Sequence, residues 1–207
     1  MPALTPRSAP KWLVDPAVGA LSRIGITPNM LTVFGFAGNV GAAVLAAHGE
    51  FLLAGVAMLF FSALDFLDGS LARATGRATP FGSVFDASLD RLSEAAVLFG
   101  LLWYFTDNNA RAESLACFAA VVASFMVSYL RARAEVIGVK MREGVFTRTE
   151  RVILLGGALV VQDIVDENIL KWVLYALTAI AGFTVLQRLV IVWEKTKGQV
   201  DPPQDTK

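Results

Sequence analysis

The sequence predicts an all-α integral membrane protein of six transmembrane helices, preceded by an N-terminal juxtamembrane helix. Three observations predict it. Of the 207 residues 55% are hydrophobic, and mean hydropathy is +0.57, a balance that water-soluble domains of this length rarely show. The stretch from Ile24 to Ala47 has no charged side chain, which is long enough to cross the hydrocarbon core of a bilayer. Cations and anions also fall in alternate connecting segments, as an even number of spans would place them.

Residues 1–28 read as an N-terminal segment. MPALTPRSAPK lacks a basic-then-apolar signal sequence, so no cleavage is expected. Between Lys11 and Ile24, the apolar residues Trp12, Val14, Val18 and Leu21 alternate with polar ones, as in a short helix lying in the interface. The membrane domain occupies 29–194, with spans expected at 29–48, 51–74, 80–106, 112–134, 148–164 and 170–193. Only the first is free of charge. The apolar runs at 51–64, 95–106, 114–130, 152–162 and 172–187 are in several cases too short to span alone, so they extend into charged flanks. Cys117 is the single cysteine and sits within a span, which excludes a disulfide framework and predicts a buried, inert thiol. Residues 195–207, KTKGQVDPPQDTK, are polar and contain proline, and read as a disordered tail. No internal repeat is visible.

Six spans place both termini on one side, together with the loops near 75–80 and 135–147. That side gathers Arg73, Arg77, Arg131, Arg133, Lys140, Arg148, Arg151 and Arg188, among others. The opposite loops hold His48 and Glu50, then Asp107, Arg111 and Glu113, then Asp163, Asp166, Glu167 and Lys171. The positive-inside rule therefore predicts a multi-pass cell-membrane protein with both termini cytoplasmic. Formal net charge is zero, and no nucleic-acid partner is expected.

Against this apolar background, DFLDGSLARATGRATPFGSVFDASLD, residues 65–90, holds four aspartates. A charge at mid-membrane costs roughly 2.5–3.5 kcal/mol on insertion scales. Asp65 and Asp68 are three apart, and Asp86 and Asp90 four apart, so on helices each pair shares a face. The short loop around Gly76 and Pro80 predicts two antiparallel neighbours whose pairs face each other near the cytoplasmic end. Carboxylates held so close must take up protons or hold a cation. An all-oxygen donor set favours Mg²⁺ or Mn²⁺ over zinc, and four carboxylates suit two ions, a standard clamp for phosphate oxygens. Gly69 and Ala72 leave room beside Asp65, Gly82 repeats the opening on the partner helix, and Arg73 supplies a fixed cation for phosphate.

The set formed by Asp65, Asp68, Gly69, Ala72, Arg73, Gly82, Asp86 and Asp90, at their spacing, resembles the signature of the CDP-alcohol phosphotransferases without a departure. The family's six-helix membrane fold agrees with the span count. The resemblance implies transfer of a phosphatidyl-type group from a CDP-linked lipid to an alcohol, with release of CMP, at the cytoplasmic membrane face. It assigns Asp65, Asp68 and Asp86 to metal, and makes Asp90 both a ligand and the general base for the acceptor hydroxyl. Gly69 and Arg73 would contact the CDP moiety. Asn29, Met30, Leu31 and Thr32, at the start of the first span, resemble the nucleotide-side wall, with Thr79 as a further candidate. The family is commonly dimeric, so a homodimer is expected.

The signature leaves the acceptor open. Arg131 ends the fourth span, Arg148 and Arg151 open the fifth three residues apart, and Arg188 lies inside an apolar run of the sixth. Arginines grip phosphate oxygens with paired hydrogen bonds, so this cluster points to a dianionic acceptor. The ARAE run, the E-R pair after the following loop and the Q-R-L of the last span are similar to the phosphatidylinositol phosphate synthases, with Arg131 standing where that subfamily is expected to have lysine. That likeness implies CDP-diacylglycerol as donor and inositol 1-phosphate as acceptor. Glycerol 3-phosphate as acceptor, an archaeal ether-lipid donor and, from another class, a divalent-cation transporter are the rival readings.

Overall fold

Threonine and proline set where the helices begin. The computed structural model describes residues 18–19, 25–141, 147–165 and 168–198, which form six helices: α1 Pro28–Ala47, α2 Phe51–Ala74, α3 Pro80–Asp107, α4 Arg111–Val136, α5 Arg148–Gln162 and α6 Ile169–Thr196. The Thr27 hydroxyl accepts from the Met30 amide at 3.3 Å, and that of Thr79 from the Gly82 amide at 2.9 Å, each just ahead of a proline in the first turn. Thr147 and Glu150 form a capping box on α5. These caps satisfy amides that have no carbonyl partner within the helix.

Side-chain packing closes the helices into a ring in the order α1, α2, α5, α6, α4, α3. The aspartate pairs of α2 and α3 face each other as expected, one Arg148 guanidinium reaching both Asp65 and Asp90, although the helix backbones are not close neighbours. The turn 75–79 joins them, but α2 packs mainly on α1 and α5, and α3 on α1 and α4. Both aspartate-bearing helices pack on α1.

The main apolar core lies at the far end of the ring from the aspartates. It joins Ala42 and Ala46 of α1, Met58 of α2, Leu98 and Leu101 of α3, Cys117 of α4, Leu155 and Leu159 of α5, and Leu174 and Leu177 of α6. Contact between α1 and α3 is close there because Gly100 has no side chain. A Cβ at Gly100 would stand 2.2 Å from the Ala43 carbonyl oxygen, well inside van der Waals contact. Cys117 is fully buried and free, as expected.

The outer face is apolar instead of polar. Phe60, Phe118 and Phe183 are each about 60% exposed, which a water-facing surface rarely tolerates on this scale and hydrocarbon welcomes. The helix limits fall within a few residues of the expected spans. Four helices, α1, α2, α4 and α6, are long and apolar enough to cross a membrane by themselves. The six expected helices are present, and four of them qualify as spans by length and composition. α3 carries Asp86, Asp90, Arg91 and Glu94 between its start and its midpoint turn, and α5 has only 15 residues, about 22 Å at 1.5 Å per residue.

Of the expected juxtamembrane helix, Val18 and Gly19 are helical, and Val18 packs with Leu71. The rest of that expected helix lies outside the described residues, as do 199–207. The tail begins later than 195, because α6 continues to Thr196. Lys195 donates to the Lys140 carbonyl at 3.5 Å, and the Lys197 ammonium lies 5.1 Å from the Trp193 ring centre.

Candidate functional site

Three helix starts, those of α1, α3 and α5, contribute to one end of the ring. Between the first two lies a cleft of about 230 Å³. Asn29 and Thr32 wall it from α1, Asp68, Gly69 and Arg73 from α2, and Gly82 and Asp86 from α3. Helix N-termini present unpaired amides and the positive end of the helix dipole, so a cleft between two of them attracts an anion. Arg73 and Arg77 add full positive charge to its rim. Gly69 and Gly82 keep its floor low. A Cβ at Gly69 would come no closer than 3.4 Å to any neighbour, and that neighbour is Arg73 at the cleft.

Of the residues expected on the nucleotide side, Asn29, Thr32, Gly69, Arg73 and Thr79 line the cleft. Met30 and Leu31 do not line it. Successive helical residues turn by about 100°, so Asn29 and Thr32 face the cleft while Leu31 is buried and Met30 points outward. Thr79 lines the cleft and caps α3 with the same hydroxyl.

The carboxylates are held in two ways. The Thr32 hydroxyl donates to Asp68 Oδ2 at 2.6 Å, tying α1 to α2. Arg148 reaches across from α5 and places Nη2 2.8 Å from Asp65 Oδ2 and Nη1 2.7 Å from Asp90 Oδ1. The guanidinium thus bridges α2 and α3, supplying the counter-charge that clustered carboxylates require. Asp86 Oδ1 is buried without a hydrogen-bond partner. Among the described residues, no three or more His, Cys, Asp or Glu are arranged about one point to hold a metal ion. The donor chemistry nevertheless fits a hard divalent ion: oxygen only, with one buried acceptor unclaimed.

On the other side of α3 lies a second pocket of about 170 Å³, into which Asp90, Arg131, Arg148, Arg151 and Arg188 all open. All four arginines expected from the sequence are brought together here. Their roles differ, however. Arg148 and Arg151 share a helical face but not a partner. Arg151 is almost wholly buried and forks onto Glu94, with Nε 2.6 Å from Oε1 and Nη2 2.7 Å from Oε2. Arg188 donates to the Val127 carbonyl, while its Nε is buried without a partner. Arg131 is largely exposed and pairs with Glu135 at 3.1 Å.

Sequence reasoning passed over Arg77 and Glu94. Arg77 looked like one more topology charge. Glu94 carried a signal, since it follows Asp86 and Asp90 at the same four-residue spacing and so continues their face along α3.

A helical ring that is apolar outside, with an acid-lined cleft between helix N-termini beside an arginine pocket, is built as a membrane-type protein with sites for anionic groups. The model of the CDP-alcohol phosphatidyltransferase family matches residues 25–193, and the chain belongs to that family. The phosphatidylinositol phosphate synthase of Mycobacteroides abscessus is 34% identical over 192 residues, covering 91% of this chain and 87% of the relative. Two crystal structures of the Mycobacterium tuberculosis phosphatidylinositol phosphate synthase are similar. One, with CDP-DAG bound, has a TM-score of 0.83 and 33% identity, covering 88% of this chain and 94% of that one. The other, in complex with manganese and citrate, has a TM-score of 0.81 and 34% identity, covering 86% and 88%.

Proposed function

We propose that the protein transfers the phosphatidyl group of CDP-diacylglycerol to inositol 1-phosphate, yielding phosphatidylinositol phosphate and CMP. The observation that supports this most is the adjacency of the two pockets. α3 turns Asp86 toward the anion cleft and Asp90 toward the arginine pocket. A donor diphosphate and an acceptor phosphate thus sit on either side of the carboxylates. The names of the relatives support the choice of donor and acceptor.

In this reading Asp65, Asp68, Asp86 and Asp90 hold divalent metal, Mg²⁺ or Mn²⁺ and two ions. When bound, the metal offsets diphosphate charge and polarises the phosphoryl oxygens. Asn29, Thr32, Gly69, Arg73 and Thr79 seat the CDP end, with Arg73 on the phosphates. Arg131, Arg148, Arg151 and Arg188 receive the acceptor's phosphate. Asp90, which opens into the acceptor pocket, accepts the proton of the inositol hydroxyl. The hydroxyl oxygen attacks the lipid-side phosphorus, the bond to the CMP oxygen breaks, and CMP leaves. Preorganised cations around the developing charge account for most of the acceleration.

The membrane arrangement follows. All six helices cross, α5 as a short span and α3 with its acidic half turned into the ring. The site and both termini face the cytoplasm, because the cations gather at that end. Pairing of two copies is part of the same reading.

The test is CMP release by the purified protein given CDP-diacylglycerol, a divalent ion and either inositol 1-phosphate or glycerol 3-phosphate. Turnover with the second alone overturns the acceptor assignment. Cation uptake into proteoliposomes without CMP release overturns the enzyme reading.

A further inference from the structure

The mechanism above leaves Glu94 unused, although it is among the most tightly held charges in the protein. It is about 4% exposed, and both carboxylate oxygens accept from the Arg151 fork. The Ser124 hydroxyl donates to Oε1 at 2.9 Å. Glu94 lies on α3 one turn beyond Asp90, Arg151 on α5 one turn beyond Arg148, and Ser124 on α4. Three helices that border the acceptor pocket therefore meet at this carboxylate.

A buried arginine without its partner is strongly unfavourable. Here four other arginines, Arg91, Arg131, Arg148 and Arg188, line the same pocket. A paired arginine presents its remaining N–H donors in a fixed direction, because the guanidinium is planar and the fork sets its plane. Glu94 thereby decides where Arg151 stands relative to Asp90 on its own helix.

We infer that Glu94 is a positioning residue that sets the distance between the acceptor's phosphate and the hydroxyl delivered to Asp90, and so selects the acceptor. This rests on the proposed acceptor pocket and deepens it. None of Glu94, Arg151 and Ser124 lines the donor cleft, so loss of the group acts chiefly on acceptor use.

The test is steady-state kinetics of the full chain carrying Glu94→Gln or Ser124→Ala, with each substrate varied in turn. The expected result for Glu94→Gln is a rise of about tenfold or more in KM for inositol 1-phosphate, with KM for CDP-diacylglycerol within twofold of wild type. Ser124→Ala shifts the same constant in the same direction by less, and Glu94→Asp, which keeps the charge, recovers part of the loss. Equal rises in both KM values, or a fall in kcat alone, overturn the inference. If Glu94→Gln fails to fold, an unchanged acceptor KM in Ser124→Ala overturns it. Should the wild type use glycerol 3-phosphate and not inositol 1-phosphate, the acceptor reading fails by itself, and the same split is then read with glycerol 3-phosphate.

Discussion

Gly35 lies directly against Asp65: a Cβ on the glycine would stand 2.5 Å from Asp65 Oδ1 and 3.4 Å from the Phe61 carbonyl. The acid reaches its place because α1 leaves a gap one residue wide. Gly35→Ala must displace the carboxylate, since the backbone on the other side cannot yield. The expected outcome is a fall in CMP release of tenfold or more, with weaker Mn²⁺ binding by titration. Overpacking of this kind costs about 1–3 kcal/mol, so the helical fold should survive. Unchanged Mn²⁺ affinity would show that Asp65 has no part in holding metal.

Asp90→Asn keeps the shape of the general base and removes its basicity. A positioned proton acceptor contributes typically 10²–10⁴-fold, so transfer should fall by about that factor. Binding of CDP-diacylglycerol should fall much less than transfer, since Asp90 opens into the other pocket and three other carboxylates remain for metal. Equilibrium binding of the donor beside a CMP-release assay separates the two effects.

Arg77→Ala removes one of the two guanidinium groups at the rim of the donor cleft. A charge at an open rim contributes less than a buried one. KM for CDP-diacylglycerol should rise several-fold, more at low salt than at high, and the acceptor KM should stay level. A rise confined to the acceptor would assign Arg77 elsewhere.

Gly100→Ala strikes the packing of α3 against Ala43 of α1, outside both pockets. With Ala43 carbonyl oxygen 2.2 Å from the new methyl, α1 and α3 must part. The expected loss is about 1–3 kcal/mol of stability, read as a lower thermal midpoint in detergent, while both KM values stay near wild type below that temperature.

Removal of divalent metal gives a fifth check. Chelation should abolish transfer, and Mg²⁺ or Mn²⁺ should restore it. Zinc should restore little, because the candidate ligands Asp65, Asp68, Asp86 and Asp90 offer only oxygen.

Much of this was legible along the chain. Apolar runs and Thr-Pro starts mark where helices begin, and spacings of three and four put Asp65 with Asp68, and Asp86 with Asp90, on common faces. These are local properties of a 3.6-residue turn, so sequence alone determines them. It also sufficed to bring Arg131, Arg148, Arg151 and Arg188 to one pocket, because each sits at the same end of its span.

Which group answers which charge was decided only by the tertiary structure. Arg148 and Arg151 are chemically identical and one turn apart, yet one bridges Asp65 and Asp90 and the other forks onto Glu94. α2 and α3, joined by a short turn, each pack mainly on α1 and not on each other. Leu31 and Met30 leave the cleft for core and outer face through helix rotation. Pairing energies depend on distances of a few ångströms between helices remote in the chain, and periodicity within one helix holds no information about them.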